Sequence, residues 1–204
     1  VLDPRCLSLL DVAHNNGQRL LKQINQLLEF SKIEAGRAKV IEGPVDLNEV
    51  ARRLAYAAQP LAEQRGVQLE VDLDPAMPTT CSDEDKLDII LTNLVSNAIK
   101  FTPSGGHIWV KSQVVPNSDR DGQLLLVSVE DTGRGIAEHD ISRLFQRFVQ
   151  LDGSTSREYS GTGLGLALVR VLIELLGGKV GVTSQLGSGS IFQIQLPCKQ
   201  PVEK

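Results

Sequence analysis

The chain has 204 residues, a formal net charge of −4, 41% hydrophobic residues and 4% aromatic residues. This length is sufficient for one domain with a good core and an additional segment. The mild acidity gives no electrostatic reason to expect nucleic acid as a partner, and no apolar run approaches the roughly 20 residues that span a bilayer. The three scattered cysteines indicate reduced thiols and a cytoplasmic segment, whose parent protein could still be membrane-anchored.

Residues from about Leu7 to Ala35 predict one long helix, which ends near Gly36. Its apolar positions follow the alternating steps of four and three that are typical of helices packed on other helices. The apolar seam consists of Ala13, Gly17, Leu20, Ile24, Leu27 and Ser31. We interpret it as a contact with a second copy of the chain, and packing on the following domain is the alternative. Because the first residue is Val1, we expect a piece of a longer protein.

Short apolar patterns after the Gly43-Pro44 break predict alternating strands and helices. We expect a strand over residues 45–47, a helix capped by Asn48 and running to Gln64, a strand over 67–73, strands over 108–115 and 124–130, a short helix over 137–147, a helix over 164–176, and a final antiparallel pair over 179–185 and 190–196. A further helix begins at Ser82 or Asp83 and contains an unusual pair of asparagines.

Asn93 and Asn97 are four residues apart on this otherwise apolar helix, so both amides emerge from one face. Asparagine is a mediocre helix former, and the pair therefore requires an explanation. An amide oxygen can ligate Mg²⁺ that is also bound by phosphates and water, and Lys100 can neutralise a phosphate. The pattern predicts a magnesium–phosphate site, with an ordinary exposed helix face as the alternative.

Two glycine-rich turns bracket a polar segment in the second half of the chain. The first, DTGRGI at residues 131–136, follows a predicted strand, and the second, GTGLGLALV at 161–169, opens a predicted helix. Glycine lets backbone amides approach a ligand, and a helix N-terminus attracts an anion. The two turns indicate a phosphate-bearing ligand beneath a lid, with Phe145 and Phe148 anchoring one end of that lid and Arg157 within it.

Together, the segments 93–101, 131–135, 145–148 and 161–166 resemble the ATP-binding domain of sensor histidine kinases, a branch of the GHKL ATPases. The resemblance implies an α/β fold, a two-layer sandwich of about three helices on a mixed, mostly antiparallel sheet, preceded by one long helix. Residues 1–40 would hold the second helix of a dimerisation and phosphotransfer hairpin with its linker. Residues 45–198 would form the ATP-binding catalytic domain.

ATP and Mg²⁺ are the cofactors that the resemblance implies. Asp131 would bind the adenine amino group, and Asn97 would ligate Mg²⁺. Catalytic positions at the phosphates or their water shell would belong to Asn93, Lys100 and Arg157. The implied nucleotide-binding set is Asn93, Asn97, Lys100, Asp131, Gly133, Gly135, Ile136, Phe148, Thr162, Gly163, Leu164 and Gly165.

Asn93 favours phosphoryl transfer over hydrolysis. In the ATP-hydrolysing relatives a glutamate at this place activates water, and an amide cannot take a proton at neutral pH. The resemblance therefore implies a homodimeric kinase that transfers the γ-phosphoryl group of ATP to a histidine, for relay to an aspartate of a response-regulator receiver domain. The alternatives are a nucleotide-binding regulatory module without catalysis, a GHKL ATPase and a serine-directed kinase of the same superfamily.

None of His14, His107 and His139 lies in the histidine box followed by Thr-Pro that carries the family's phosphoacceptor. We therefore expect this piece to bind Mg·ATP without phosphorylating itself.

Overall fold

The computed structural model describes residues 3–117, 122–150 and 163–200 and contains two compact units. Among its described residues, the first unit, Val1–Lys39, contains one long helix, α1 (Pro4–Glu34), as the sequence predicts. Large apolar side chains of its predicted seam, including Leu20, Ile24 and Leu27, are exposed. Within the part of the chain that is described, no helix is both long and apolar enough to cross a membrane.

The second unit, Val40–Lys204, contains seven strands and four helices among its described residues. In chain order they are β1 (Gly43–Val45), α2 (Leu47–Gln64), β2 (Gln68–Asp72), β3 (Thr80–Ser82), α3 (Glu84–Phe101), β4 (His107–Pro116), β5 (Gln123–Asp131), α4 (Glu138–Ile141), α5 (Gly165–Leu175), β6 (Lys179–Gln185) and β7 (Gly189–Pro197). Five strands form a sheet in the order β2-β4-β5-β7-β6, in which only the β2–β4 pair is parallel. The expected α/β fold with a mixed, mostly antiparallel sheet is confirmed.

Alternation along the strands separates a buried face of the sheet from a solvated one. The buried face carries Ile108, Val110, Leu125, Val127, Val129, Phe192, Ile194 and Leu196. Helices α2, α3 and α5 cover it with their apolar stripes, which is the predicted two-layer arrangement. The opposite face carries polar pairs such as Lys111 and Glu130, whose Nζ and Oε2 atoms are 2.6 Å apart.

The start of α2 differs from the prediction. Asp46, not Asn48, caps this helix, because its Oδ1 accepts the backbone N–H groups of Asn48 at 2.9 Å and Glu49 at 3.1 Å. The Asn48 amide instead donates to the Asp74 carbonyl at 2.8 Å and accepts the Ser112 hydroxyl at 2.7 Å. The asparagine therefore connects α2 to β4 and to the loop after β2.

Two further elements differ from the sequence-based expectation. The helix predicted over 137–147 is confined to Glu138–Ile141 and is followed by turns, and no side chain caps its start. The strand Thr80–Ser82, which the pattern did not predict, pairs with Gly43–Val45 in a separate antiparallel sheet. Both elements are so short that neighbouring contacts, and not local periodicity, determine them.

Helix α3 begins at a buried ion pair. Asp83, which caps the helix and is 2% exposed, accepts hydrogen bonds from the Lys86 ammonium at 2.7 Å, the Lys86 backbone N–H at 3.1 Å and the Ile41 N–H at 2.8 Å. Burial alone would raise the pKa of Asp83, but these hydrogen bonds and the Lys86 charge outweigh it and hold the pKa below its usual range. The pair thus ties α3 to the chain that enters the second unit.

Replacing Lys86 with methionine should destabilise the fold by about 3 kcal/mol, because the Asp83 carboxylate would then be buried without its cation. The matched change Arg53→Met removes exposed bonds to Glu84 and Asp88 and should cost less than about 1 kcal/mol. Urea unfolding at neutral pH measures both.

The contribution of Lys86 to the free energy of unfolding should depend on pH, because the pKa of Asp83 is lowered on folding. This contribution should be complete above the unfolded pKa of about 3.9 and should shrink as the pH falls through the folded value. Equal losses in the two variants would contradict this assignment.

Candidate functional site

The paired asparagines lie on one face of α3, and the structure gives them different environments. Asn93 is 6% exposed, and its Nδ2 donates to the Ile89 carbonyl at 2.7 Å. Its Oδ1 lies so close to Gly165 that a Cβ there would be only 2.9 Å away. Asn97 is half-buried, and no hydrogen bond joins its side-chain amide to another described residue. Asn97 can therefore offer its oxygen to a ligand.

Two cations lie against one aromatic ring at the C-terminal end of α3. The Lys100 Nζ is 4.7 Å from the centre of the Phe101 ring, and the Arg134 Cζ is 4.8 Å from it. Contacts of this kind attract the cations to the ring and restrict their positions. Lys100 was predicted as a site residue, whereas Arg134 was not, although its position between the two glycines of DTGRGI was the available signal.

Asp131 is the last residue of β5 and points toward the helices. It is 9% exposed, and its Oδ1 accepts the Gly133 N–H at 2.8 Å. Burial raises the pKa of Asp131, and the hydrogen bonds from the backbone N–H groups of Gly133 and Ser190 oppose that rise without cancelling it. A Cβ on Gly133 would be 2.6 Å from both Asp131 Oδ1 and the Phe101 carbonyl oxygen. The absent side chain therefore lets the turn lie against the end of α3.

The rest of this turn is held by the hairpin between β6 and β7. Gly135 has φ +67°, and a Cβ there would overlap the Gln185 carbonyl oxygen. The Gly187 N–H donates to the Arg134 carbonyl at 2.7 Å, and the Ile136 N–H donates to the Ser184 hydroxyl at 2.9 Å. The predicted residues Gly133, Gly135 and Ile136 are thus brought into one tight turn beside Asp131.

The second glycine turn is described only from Gly163 onward. Gly163 has φ +69°, and its carbonyl accepts the Phe148 N–H at 3.0 Å. Phe148 has φ +60°, which is rare for a bulky residue, and its side chain is 68% exposed instead of packed in the core. Leu164 is buried, and Gly165 begins α5 beside Asn93. The predicted residues Arg157 and Thr162 lie outside the described part of the chain.

The described residues provide complementary groups for a nucleotide with a divalent cation. The face of α3 lies between the turn at 131–136, which offers a carboxylate, and the start of α5, where Gly165 lies directly against Asn93. Within residues 3–117, 122–150 and 163–200, no cluster of three His, Cys, Asp or Glu side chains could hold a metal by itself. A magnesium ion that takes most of its ligands from phosphates and water, with one amide oxygen from the protein, fits this set.

Two serines near Asp131 were missed by the sequence patterns. Ser184 and Ser190 face each other across β6 and β7, with 3.0 Å between their hydroxyl oxygens, and Ser190 is also opposite Asp131 in the register of β5 and β7. In the sequence both are ordinary polar residues at strand ends. Only strand register brings them to the carboxylate.

Because folding raises the pKa of Asp131, the folded chain binds a proton here more readily than the unfolded chain does. The wild-type fold should therefore lose stability as the pH rises from the unfolded pKa of about 3.9 through the higher folded value. Asp131→Asn, which does not titrate, should be at least as stable as the wild type at pH 7 and should lose this advantage below about pH 4. Urea unfolding across this range measures the difference. An advantage for the asparagine variant that grew as the pH fell would contradict the direction of the shift.

Comparison with known proteins assigns the chain to a family. The family described as histidine kinase-, DNA gyrase B- and HSP90-like ATPase matches residues 82–200. The autoinducer 2 sensor kinase/phosphatase LuxQ of Vibrio parahaemolyticus is 38% identical over 192 residues, which are 93% of this chain and 22% of LuxQ. The circadian input-output histidine kinase CikA of Synechococcus elongatus is 37% identical over 204 residues, which are 99% of this chain and 26% of CikA. The chain thus spans about a quarter of the length of these relatives.

Two solved structures extend the likeness to three dimensions. Full-length ShkA in complex with AMPPNP matches 100% of this chain and 41% of its own, with a TM-score of 0.84 and 32% identity. The histidine kinase AdeS of Acinetobacter baumannii matches 98% of this chain and 87% of its own, with a TM-score of 0.76 and 26% identity. The chain belongs to the histidine kinase-, DNA gyrase B- and HSP90-like ATPase family, and it contains the ATP-binding catalytic domain of a sensor histidine kinase.

Proposed function

We propose that the chain binds Mg·ATP and that its parent protein transfers the γ-phosphoryl group to a histidine that this chain does not supply. The phosphoryl group would then be relayed to an aspartate of a response-regulator receiver domain. The observation that carries the proposal is the amide of Asn97, whose oxygen is available on the same face of α3 as buried Asn93. The names of LuxQ, a sensor kinase/phosphatase, and CikA, a histidine kinase, support the class of reaction.

The two ends of the nucleotide would meet different groups. At one end, the ionised carboxylate of Asp131 would accept a hydrogen bond from the adenine amino group, within the turn that Gly133 and Gly135 permit. Ile136 and Phe148, on either side of α4, would border the nucleotide. The nearly buried setting of Asp131 excludes most competing water and strengthens this bond.

At the other end, Mg²⁺ would neutralise phosphate charge while bound to the amide oxygen of Asn97. Lys100, restrained by the Phe101 ring, would neutralise a further phosphate oxygen. The backbone from Gly163 through Leu164 to Gly165 would approach the phosphates, since the N–H groups that open a helix favour anions. Thr162 and Arg157 would complete the phosphate cradle, and these two assignments depend on the resemblance alone.

The environment of Asn93 supports transfer instead of hydrolysis. Its amide donates to the Ile89 carbonyl, and an amide has no basic site that could deprotonate water at neutral pH. Phosphoryl transfer needs little covalent chemistry from the protein and depends mainly on positioning and charge stabilisation. Asn93 would accordingly position the phosphates or their water shell and would not act as a base.

We also propose that residues 1–40 hold the second helix of a dimerisation and phosphotransfer hairpin with its linker, and that residues 45–198 form the catalytic domain. The exposed seam of α1, with Leu20, Ile24 and Leu27, supports a helical partner from a second copy in the intact homodimer. The segment would act in the cytoplasm, whether or not the parent protein is anchored in a membrane.

Asn97→Ala should remove most of the magnesium dependence of nucleotide binding. We expect calorimetry with AMPPNP to show about tenfold weaker binding in the presence of Mg²⁺, because the amide oxygen that would ligate the ion is removed. Binding without Mg²⁺ should change little. Asn48→Ala, which removes an amide that only connects α2 to neighbouring elements, should leave both affinities unchanged. Magnesium-dependent binding that persisted in Asn97→Ala would contradict the assignment.

The chain should not phosphorylate itself. After incubation with Mg²⁺ and γ-labelled ATP we expect no acid-labile, alkali-stable phosphate on the protein, because none of His14, His107 and His139 has the sequence context of a phosphoacceptor. Label with that stability on any of the three would refute this expectation. Steady ATP turnover that disappears in Asn97→Ala would instead support an ATPase.

A further inference from the structure

We propose that Ser184 is a positioning residue for the base-binding end of the site, acting through the turn that carries Asp131. The assignment rests on the proposed nucleotide binding and adds a residue that would not itself touch the nucleotide. Ser184 is half-buried on the helix-covered face of β6, two positions beyond Val182 on the same face. Its hydroxyl lies where the turn at 131–136 meets the hairpin between β6 and β7.

The Ser184 hydroxyl uses its complete hydrogen-bonding capacity. It donates to the Gly189 carbonyl at 2.8 Å and accepts the Ile136 N–H at 2.9 Å. A hydroxyl has one proton and two acceptor sites, so the remaining contact, 3.0 Å to the Ser190 hydroxyl, is one in which Ser190 donates. No part of this hydroxyl is left for solvent or for another role.

These bonds connect the turn that follows Asp131 with the strand that lies beside it. Ile136 ends the turn that follows Asp131. Ser190 is the cross-strand partner of Asp131, and the Ser190 backbone N–H donates to the Asp131 carboxylate. A Cβ on Gly189 would overlap the Asp131 carbonyl oxygen, so the hairpin and the strand end are already in close contact there. Ser184 therefore holds together the two backbone segments that orient the carboxylate.

The hydrogen bonds of Ser184 involve the base-binding end of the site and not the phosphate end. Its hydroxyl contacts Ile136, Gly189 and Ser190, and none of these residues lies on α3 or α5. Removing the hydroxyl would leave the Ile136 N–H without its acceptor and would loosen the turn, while Asn97, one turn before the end of α3, keeps its position. The resulting loss of affinity should be the same for any adenine nucleotide, whatever its number of phosphates.

The test measures dissociation constants of Mg·ATP and Mg·ADP for the wild type, Ser184→Ala, Ser184→Thr and Ser112→Ala by calorimetry. Ser112 is the matched control, because its hydroxyl also bridges two segments, donating to Asn48 Oδ1 at 2.7 Å and accepting the Asp74 N–H at 2.9 Å. We expect Ser184→Ala to bind both nucleotides about fivefold more weakly, with an unchanged ratio of the two constants. Ser184→Thr, which keeps the hydroxyl, and Ser112→Ala should stay within about twofold of the wild type.

Several results would overturn the assignment. They are wild-type affinity in Ser184→Ala, a loss confined to ATP, or a loss in Ser184→Thr as large as that in the alanine variant.

A second measurement, on the wild type, does not depend on whether the variants fold. The Ile136 amide should be protected from hydrogen exchange in the absence of nucleotide. Exchange as fast as in an open loop would refute its bond to Ser184. Wild-type protein that binds neither nucleotide would overturn the proposed function itself, a result distinct from normal wild-type binding with an unaffected Ser184→Ala.

Discussion

The contact between the turn at 131–136 and the end of α3 is the constraint on which the site depends. It requires a glycine at 133, because any Cβ there would meet both the Asp131 carboxylate and the Phe101 carbonyl. Through this contact the carboxylate at the end of a strand and the amides on a helix border one region, although they are more than 30 residues apart in the chain. A second close approach, between Gly165 and Asn93, joins α5 to the same face of α3.

Two buried aspartates, Asp83 and Asp131, have pKa values shifted in opposite directions by their surroundings. Asp83 has a lysine within 2.7 Å, and its pKa is lowered. Asp131 accepts hydrogen bonds from backbone N–H groups, no cation is among its partners in the described part of the chain, and burial raises its pKa. The first carboxylate is compensated within the fold and stabilises the start of α3. The second retains part of its desolvation cost, which a ligand with a hydrogen-bond donor can offset.

The sequence predicted the features that depend on local periodicity and on residue type. The apolar stripe of α3, with Asn93 and Asn97 on one face, follows from the helical repeat, and the placement of Asp131 follows from the end of a strand pattern. The α/β layers follow from the order of those elements and from the resemblance. The pairing of β1 with β3 and the capping by Asp46 could not be predicted, since nothing in the local sequence distinguishes these strands and this cap residue from their neighbours.

Arg134 and Ser184 illustrate why part of the site was inaccessible to sequence reasoning. Arg134 stands inside a recognised motif, yet its relation to Lys100 arises only because both cations reach the Phe101 ring. Ser184 is nearly 50 residues from Ile136 in sequence and reaches it through strand order and register. Such partners depend on the tertiary fold, and no local pattern distinguishes them from other polar residues at strand ends.

The hydrogen bond from the Phe148 N–H to the Gly163 carbonyl has a consequence for how the chain tolerates change. It brings the two backbones so close that a Cβ on Gly163 would be 2.7 Å from the Phe148 carbonyl carbon. A side chain at position 163 would therefore have to displace the backbone of Phe148. The φ of +69° at Gly163 is in addition a conformation that residues with a Cβ rarely adopt. The residue that precedes the buried Leu164 at the start of α5 is thus restricted to glycine both by contact and by backbone conformation.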